Sequence, residues 1–194
     1  MGSPPAPWHI INHFCLACDE MELGCHFTGG RPRVLVVDPN RANLAVLARR
    51  LADSGYRVST ADRGSAAIAE LYRLPVDLVL AELDMSQMSG ADLARAIRGE
   101  IQWNDVPVML ITGKSEPKGA VRAYEAGADD VILKPFHFDV LLARIERRID
   151  RARAMRRLRD DNAALDARVV KRAIEIGELR NQLRQERIRS SLSL

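Results

Sequence analysis

One apolar run constrains the fold more than any other feature of the chain. It extends over Leu78–Ala81, ends in the carboxylate of Glu82, and is followed by turn residues at Ser89 and Gly90. A short run without polar interruption predicts a strand buried on both faces, as central strands of parallel sheets are. Glu82 then lies at the carboxyl end of that strand, which is the edge where open α/β sheets bind their ligands. We therefore expect the functional site around Glu82.

Apolar runs alternate with helical patterns between Arg33 and Arg148, five of each. The predicted strands are Arg33–Val37, Tyr56–Thr60, the run that ends at Glu82, Val106–Thr112 and Val131–Leu133. Two predicted helices have apolar faces, made of Ile68, Leu71 and Tyr72 in one and of Val121, Tyr124 and Ala128 in the other. Alternation at this spacing predicts an α/β fold, with a doubly wound five-stranded parallel sheet and helices on both faces.

Residues 1–32 differ in composition from the predicted domain and are interpreted as a flexible N-terminal extension. Proline residues open this segment and Gly29-Gly30 closes it, which are linker signals. It contains four candidate zinc ligands, Cys15, Cys18, Cys25 and His26. Thiolates and imidazoles can close a tetrahedral zinc site, but two well-separated ligand pairs are the usual arrangement and Cys25 and His26 are adjacent. We expect an arm without metal there.

Composition narrows the class of protein. Hydrophobic residues make up 47% of the chain, yet no apolar stretch approaches the roughly 18 residues of a membrane span. The N-terminus has no basic region leading into an apolar one, and all three Cys precede residue 26. These features favour a cytoplasmic protein without a disulfide scaffold. The net charge of +3 does not by itself indicate nucleic-acid binding.

From His137 onward the chain contains no Pro and a single Gly, Gly177, which favours one long helix. The candidate heptad core positions are Met155, Leu158, Asn162, Leu165, Val169, Arg172, Ile176, Leu179 and Leu183. Seven of these nine are apolar, so the pattern predicts a coiled coil over residues 149–187, continuous with the last helix of the domain, and a tail over 188–194.

The partner in that coiled coil is predicted to be a second copy of the chain, in parallel orientation. Asn162 at an a position specifies register and two strands. Across such a pair Glu175 and Arg180 would attract, whereas Asp161 and Asp166 would repel. The alternative is a long helix that pairs with another protein.

Five segments carry a family resemblance over residues 33–148. They are Val34–Asp38, Asp77–Leu80, Met88–Gly90, Pro107–Thr112 and Gly127–Phe136. Together they resemble a bacterial two-component response-regulator receiver domain, a CheY-like domain. The resemblance implies a flavodoxin-like fold and participation in phosphorelay signal transduction.

The resemblance also implies roles for the residues at the carboxyl edge. In the family, two adjacent acids and an acceptor Asp hold Mg²⁺, the acceptor is phosphorylated, a Thr or Ser and a Lys bind the phosphoryl oxygens, and an aromatic residue reports the change. Asp38 matches the first acid, Thr112 the hydroxyl and Lys134 the lysine. The departures are Pro39 at the second acid, Glu82 at the acceptor, Ser86 at the usual Pro and Val131 at the aromatic; Asp84 completes the candidate pocket.

These departures predict a degenerate pseudo-receiver. Glu is one methylene longer than Asp, Pro39 offers no ligand, and Val131 removes the reporter. Mg²⁺ binding is therefore weakened, with Asp38 and Glu82 as the remaining candidate ligands. Glu82 is expected to reach toward Lys134 and Thr112 and to hold a fixed, active-like state. Two alternatives remain open: Glu82 only neutralises Lys134 in a retired pocket, or the domain is still phosphorylated.

The expected function is that of a signalling adaptor. Residues 158–169 resemble the helical linker that joins receivers to output domains, among them cyclic-di-GMP phosphodiesterases, and we expect no catalytic domain and no enzymatic activity. The expected partner is a histidine kinase or an output protein.

A second hypothesis is anion binding by an arginine-rich segment at the start of the long helix. Its members are Arg144, Arg147, Arg148, Arg151, Arg153, Arg156, Arg157 and Arg159. Arginine suits nucleic acid or a cyclic dinucleotide. However, acidic residues interrupt the run and no aromatic follows Phe138 to stack a base. A solvated helix face is the preferred interpretation.

Overall fold

The structure is a computed structural model that describes residues 30–113 and 117–191, with side chains to residue 185. The candidate zinc ligands Cys15, Cys18, Cys25 and His26 lie outside the described residues. Within the described part, no helix is long and apolar enough to cross a membrane.

A five-stranded parallel sheet forms the centre of the domain. Its strands are β1 (Arg33–Val37), β2 (Arg57–Ala61), β3 (Leu78–Glu82), β4 (Val108–Thr112) and β5 (Asp130–Leu133). Their order is β2-β1-β3-β4-β5, so β3 lies in the middle and every residue of it is buried. The predicted fold class is thus confirmed, including the central position of the run that ends at Glu82.

The helices are α1 (Arg41–Asp53), α2 (Gly64–Arg73), α3 (Gly90–Gly99), α4 (Pro117–Glu125) and α5 (Phe138–Ser191), with a short 3₁₀ turn at Ile101–Trp103. Local chemistry fixes two of the starts next to the site. The Asn40 side chain accepts hydrogen bonds from the first backbone N–H groups of α1. Ser89 and Asp92 form a capping box at the start of α3, which satisfies backbone donors that a helix leaves unpaired.

The sheet separates two hydrophobic cores. Leu47 and Leu51 of α1 and Ile145 of α5 pack with Val36 and Leu80 on one face. On the other face α2, α3 and α4 cover Val37, Val79 and Leu110. Because neighbouring residues of a strand point to opposite faces, each apolar strand supplies both cores. This arrangement holds the carboxyl ends of β1, β3 and β4 side by side.

The predicted apolar faces of α2 and α4 were partly wrong. Tyr72 is 64% exposed, and Val121 and Tyr124 are 53% and 52% exposed. The Tyr72 ring instead lies edge-on against Trp103, with ring centroids 4.5 Å apart. The predicted Leu71 and Ala128 are buried, and the remaining burial comes from smaller residues, Ala67 in α2 and Ala123 and Ala126 around the end of α4. Small residues let these helices approach the sheet closely, which sequence periodicity alone did not reveal.

Helix α5 continues without interruption for 54 residues to Ser191. Its first part packs on the sheet, since Leu141, Ile145 and Ile149 are buried. Every side chain from residue 157 to residue 185 is exposed. The apolar stripe of α5, defined as Met155, Leu158, Leu165, Val169, Ile176, Leu179 and Leu183, is 48–67% exposed.

The arginine-rich segment is not a solvated face throughout, which corrects the preferred interpretation. Five of its eight arginines lie within 4.0 Å of carboxylates of the α/β body, defined here as residues 33–137. Arg144 and Arg148 lie beside Asp130, Arg153 and Arg156 beside Asp77, and Arg159 beside Asp105. These arginines anchor α5 to the body, so they are not available as a continuous anion-binding surface.

Candidate functional site

The candidate site lies at the carboxyl edge of the sheet. Glu82 ends β3 and Thr112 ends β4, while Asp38 and Lys134 directly follow β1 and β5. The sheet register places Ala81 beside Val37. Since β1 and β4 flank β3, the fold brings together residues that are far apart in the sequence, as the strand pattern predicted.

An ion pair between Glu82 and Lys134 occupies the centre of the site. Lys134 Nζ donates a hydrogen bond to Glu82 Oε2, and the same Nζ lies 4.0 Å from Asp38 Oδ2. The Glu82 side chain is only 11% exposed and that of Asp38 only 5%, whereas Lys134 is 34% exposed. Lys134 therefore lies between the two buried carboxylates and the solvent.

Burial has the largest effect on the ionisation of Glu82. Desolvation raises the pKa of this carboxyl, because a charged group is poorly solvated there. The hydrogen bond from Lys134 and its positive charge lower the pKa and partly offset the effect of burial. The negative charges of Asp38 and Asp84 raise it again. The balance is a Glu82 pKa above the ordinary glutamate value, with Lys134 opposing the rise.

Asp38 is held by the chain that follows it. Its Oδ1 accepts from the backbone N–H of Asn40 at 2.7 Å, and its Oδ2 accepts from Asn43 Nδ2 at 3.1 Å. Asn40 also caps α1, so one short turn fixes both the helix start and the carboxylate. Asn43 was not among the predicted site residues. Its spacing of five residues from Asp38, one turn into a predicted helix, was the only signal.

The other predicted residues are placed as follows. Thr112 is buried, and its carbonyl oxygen accepts the Lys134 backbone N–H at 2.8 Å, which fixes the base of the lysine. Pro39 and Asp84 are exposed at the rim. Val131 is half-buried and packs on the α2–α4 side of the sheet, in the core that also contains Ala123.

Gly90 makes the loop after β3 possible. A Cβ at this position would lie 2.4 Å from the Glu82 carbonyl oxygen and 2.9 Å from Leu83 Cα, so only glycine fits without displacing backbone. Its N–H donates to the Leu83 carbonyl at 2.9 Å, which closes the loop. Gln87 at the loop tip has φ of 69°, a left-handed conformation that is uncommon for residues other than glycine. The loop geometry thus fixes where Glu82 leaves the sheet.

The donor set does not fit Mg²⁺, the metal that the resemblance implies. This ion requires near-ideal octahedral oxygen ligation. Pro39 contributes no side-chain oxygen, the Lys134 ammonium occupies Glu82, and both Asp38 oxygens already accept hydrogen bonds. Within the described residues, no group of three or more His, Cys, Asp or Glu side chains could hold a metal ion.

The contacts of Glu82 and Lys134 define the charge balance of the site. Glu82 Oε2 accepts the hydrogen bond from the Lys134 ammonium group, so one of the two carboxylate oxygens is engaged. Lys134 likewise has its charge partly neutralised by two carboxylates. The charged groups of the site therefore pair with one another.

Comparison with known proteins agrees with the fold. The model of the response regulator receiver domain family matches residues 34–146. A probable cyclic di-GMP phosphodiesterase of Vibrio cholerae is 30% identical over 76% of this chain and 33% of its own length. The transcriptional regulatory protein KdpE of Mycobacterium tuberculosis is 36% identical over 61% of this chain and 51% of its own. The chain therefore spans about a third to a half of these curated relatives.

A solved structure gives the same result. The signal receiver domain of a signal transduction histidine kinase from Syntrophus aciditrophicus is 30% identical, with a TM-score of 0.58 over 61% of this chain and 90% of that one. More than half of the present sequence lies within the matched family region. The chain belongs to the response regulator receiver domain family.

Proposed function

We propose that this protein is a pseudo-receiver, a receiver domain held in one state that acts as a cytoplasmic signalling adaptor through protein–protein contacts. The single observation that carries the proposal is the Glu82–Lys134 ion pair. The lysine expected to bind phosphoryl oxygens is already bound to a carboxylate of the same chain. In this proposal Glu82 fixes the pocket in an active-like state.

The stereochemistry of the acceptor position supports this proposal. Glutamate places its carboxylate about one bond length farther from the backbone than aspartate does, and misplacements on the order of 1 Å can lower transfer rates roughly 100-fold. The site also lacks the second acid, because Pro39 stands there. Both departures disfavour phosphorylation at Glu82.

The residue at the position of the family's aromatic reporter, Val131, supports a domain that does not change conformation on phosphorylation. Val131 has no ring that could move between buried and exposed positions. It packs as an aliphatic side chain beside the α2–α4 core. The proposed domain therefore presents a constant surface to its partner, a histidine kinase or an output protein.

The exposed stripe of α5 supports pairing of the long helix. A solitary helix of this length with an uncovered apolar stripe is not favoured in water. We propose that α5 forms a parallel coiled-coil homodimer when no other partner is present, with Asn162 at the a position setting the register. The adaptor has no enzymatic activity of its own in this proposal, and output resides in the protein that it binds.

The proposal is tested by incubating purified protein with acetyl phosphate and Mg²⁺ and measuring the intact mass. The wild-type chain is expected to gain no phosphoryl group. The control is the double variant Pro39→Asp/Glu82→Asp, which restores both acids and is expected to become phosphorylated. Stoichiometric addition of one phosphoryl group to the wild type, accompanied by a change in assembly state, would disprove the pseudo-receiver.

A further inference from the structure

The apolar stripe of α5 lies on the side of the helix that faces away from the α/β body. Ile149 is buried against the sheet, and Leu158 follows it by nine residues, about two and a half turns, so the two side chains project in opposite directions. Arg153 contacts Asp77 of the body, again from the side opposite Leu158. The body therefore does not cover any part of the stripe, even where α5 is still anchored to it.

Two arginines belong to the same row of the helix as the stripe. Arg151, Leu158, Leu165, Arg172 and Leu179 follow one another at intervals of seven residues, which is one d position per heptad. Within the part of the chain that the structure describes, Arg151 and Arg172 have no carboxylate partner. Two cations thus lie on the face that a partner helix must cover.

A second copy of this chain in parallel register satisfies neither cation. It sets Arg151 against Arg151 and Arg172 against Arg172, since equivalent d positions meet in a parallel pair. It also sets Asp161 near Asp166 of the other copy, a repulsion that the attraction between Glu175 and Arg180 offsets only in part because the two arginine layers remain unpaired. Like charges at such positions weaken pairing. Self-pairing is therefore possible only at reduced affinity.

An antiparallel second copy does not remove the conflict. In the register that places Asn162 opposite Arg172, each apolar core position from Met155 to Leu179 faces another apolar core position of the second copy. The flanking charges then oppose their own kind, because Arg168 meets Arg168 and Asp166 meets Asp166. Both orientations of a homodimer therefore bring like charges together.

We infer that the preferred partner of α5 is a different amphipathic helix, one that carries Asp or Glu opposite Arg151 and Arg172 and basic residues alongside Asp161 and Asp166. Such a helix covers the apolar stripe and pairs both cations at once. This partner displaces the second copy from the weaker homodimer, so the long helix can exchange one partner helix for another. This inference rests on the proposed function, because it takes α5 to work as one strand of a coiled coil.

The test uses a full-length charge-complementary variant, Arg151→Glu/Arg172→Glu, as the probe. Wild type and variant are measured separately and as an equimolar mixture, by native mass spectrometry and sedimentation equilibrium. The mixed pair is expected to exceed its statistical proportion, with a dissociation constant at least about tenfold below that of the wild-type homodimer. Each protein alone should pair weakly, because like charges meet at both d layers.

The matched control is Lys171→Glu/Arg184→Glu, which makes the same change in net charge at positions outside the a and d rows. Its mixture with wild type is expected to show statistical pairing. The inference is overturned if the Arg151/Arg172 variant also mixes statistically, or if wild type pairs with itself as tightly as with the variant. Absence of any pairing overturns the coiled-coil part of the proposed function as well, which distinguishes the two failures.

Discussion

The ammonium of Lys134 donates a hydrogen bond to the carboxylate of Glu82, although 52 residues separate the two in the chain. The contact joins the end of the central strand to the residue after the edge strand. Its environment is asymmetric, because Glu82 is buried and Lys134 is about one-third exposed. Burial raises the pKa of Glu82 while Lys134 opposes that rise. The stability of the site should therefore depend on both the lysine and the pH.

Replacement of Lys134 by Met should destabilise the domain in a pH-dependent manner. Without the lysine the pKa of Glu82 rises further above its unfolded value of about 4.3. A group whose pKa is higher in the folded than in the unfolded protein stabilises the fold at pH values below its unfolded pKa. This stabilisation is lost as the pH rises through the folded pKa. We expect a loss of about 1–3 kcal/mol near neutral pH, at the low end because Lys134 is partly exposed, and a smaller loss at acid pH.

Urea unfolding of the wild type and Lys134→Met at acid and neutral pH measures this effect. The control is Glu82→Gln/Lys134→Met, which removes both charges and should abolish the extra pH dependence. An equal loss of stability at both pH values would contradict the role assigned to Glu82.

Arg98 is expected to be the most important surface arginine for stability. Its guanidinium donates to the carbonyls of Asn104, Val106 and Gly127 at 2.9–3.1 Å and to Asp129 Oδ2 at 2.6 Å. Removing it leaves several half-buried acceptors unpaired. Arg98→Ala should cost about 2–4 kcal/mol of unfolding free energy, and Arg98→Lys an intermediate amount.

Arg95→Ala on the same helix is the comparison for Arg98. Arg95 pairs with Asp92, and both side chains are more than half exposed. Exposed pairs contribute about 0–1 kcal/mol. Thermal or denaturant unfolding measures both variants, and similar losses in the two would refute the special position of Arg98.

Asp77 should control how firmly α5 is anchored to the body. Its Oδ2 accepts from the Arg33 backbone N–H at 2.8 Å, and its Oδ1 accepts from Arg153 Nη2 at 3.3 Å and lies 4.0 Å from Arg156 Nη2. Asp77→Ala should lower stability by about 1–2 kcal/mol. Hydrogen–deuterium exchange should become faster around residues 150–160, since this part of α5 loses its contacts.

The control for Asp77 is Asp160→Asn, since Asp160 is an exposed carboxylate on α5 itself. That variant should leave the exchange pattern of the anchored segment unchanged. Unaltered exchange at residues 150–160 in Asp77→Ala would mean that apolar packing alone anchors the helix.

Leu165→Asp should disrupt pairing of the long helix. Leu165 is 54% exposed in the stripe, where a charge would face the apolar surface of a partner. We expect dissociation and a lower helical circular-dichroism signal, because an unpaired helix of this length is marginal in water. Ala167→Asp, at an outward f position, is the matched control and should retain the mass of the pair. A Leu165→Asp protein with unchanged mass and helicity would exclude the stripe as an interface.

Tyr56 should ionise only at unusually high pH. Burial chiefly, and then the negative charges of Glu146 and Asp150, raise the pKa of its phenol to about 12, against the lowering effect of Arg153. The other two tyrosines, Tyr72 and Tyr124, are exposed. An ultraviolet pH titration should therefore show a separate late phase.

The raised pKa of Tyr56 also predicts the sign of its effect on stability. The phenol stabilises the fold below its unfolded pKa of about 10, and this contribution is lost as pH rises toward the folded value. Tyr56→Phe should remove the late titration phase. Persistence of that phase in the variant would show that another group produces it.

The sequence determined the fold and the edge of the sheet at which the site lies. Five apolar runs at regular spacing permit little else than a parallel sheet with crossover helices, and parallel strands place their carboxyl ends together. Asp38, Glu82, Thr112 and Lys134 could therefore be assigned to one edge, and the motif resemblance supplied their expected roles. The long helix was likewise readable, because it contains no Pro and a single Gly.

The tertiary structure decided which partner each polar group takes. Asn43 reaches Asp38 because the turn after β1 folds α1 back over it, and the five-residue spacing of the two in the sequence does not by itself specify this contact. Arg153 and Arg159 meet Asp77 and Asp105 because α5 leaves the body along the loops that contain those acids. Side-chain ion pairs depend on positions fixed by contacts distant in sequence, whereas strand and helix patterns depend on neighbours along the chain. For this reason local periodicity predicted the framework of the protein, and only its three-dimensional packing determined how its charges are paired.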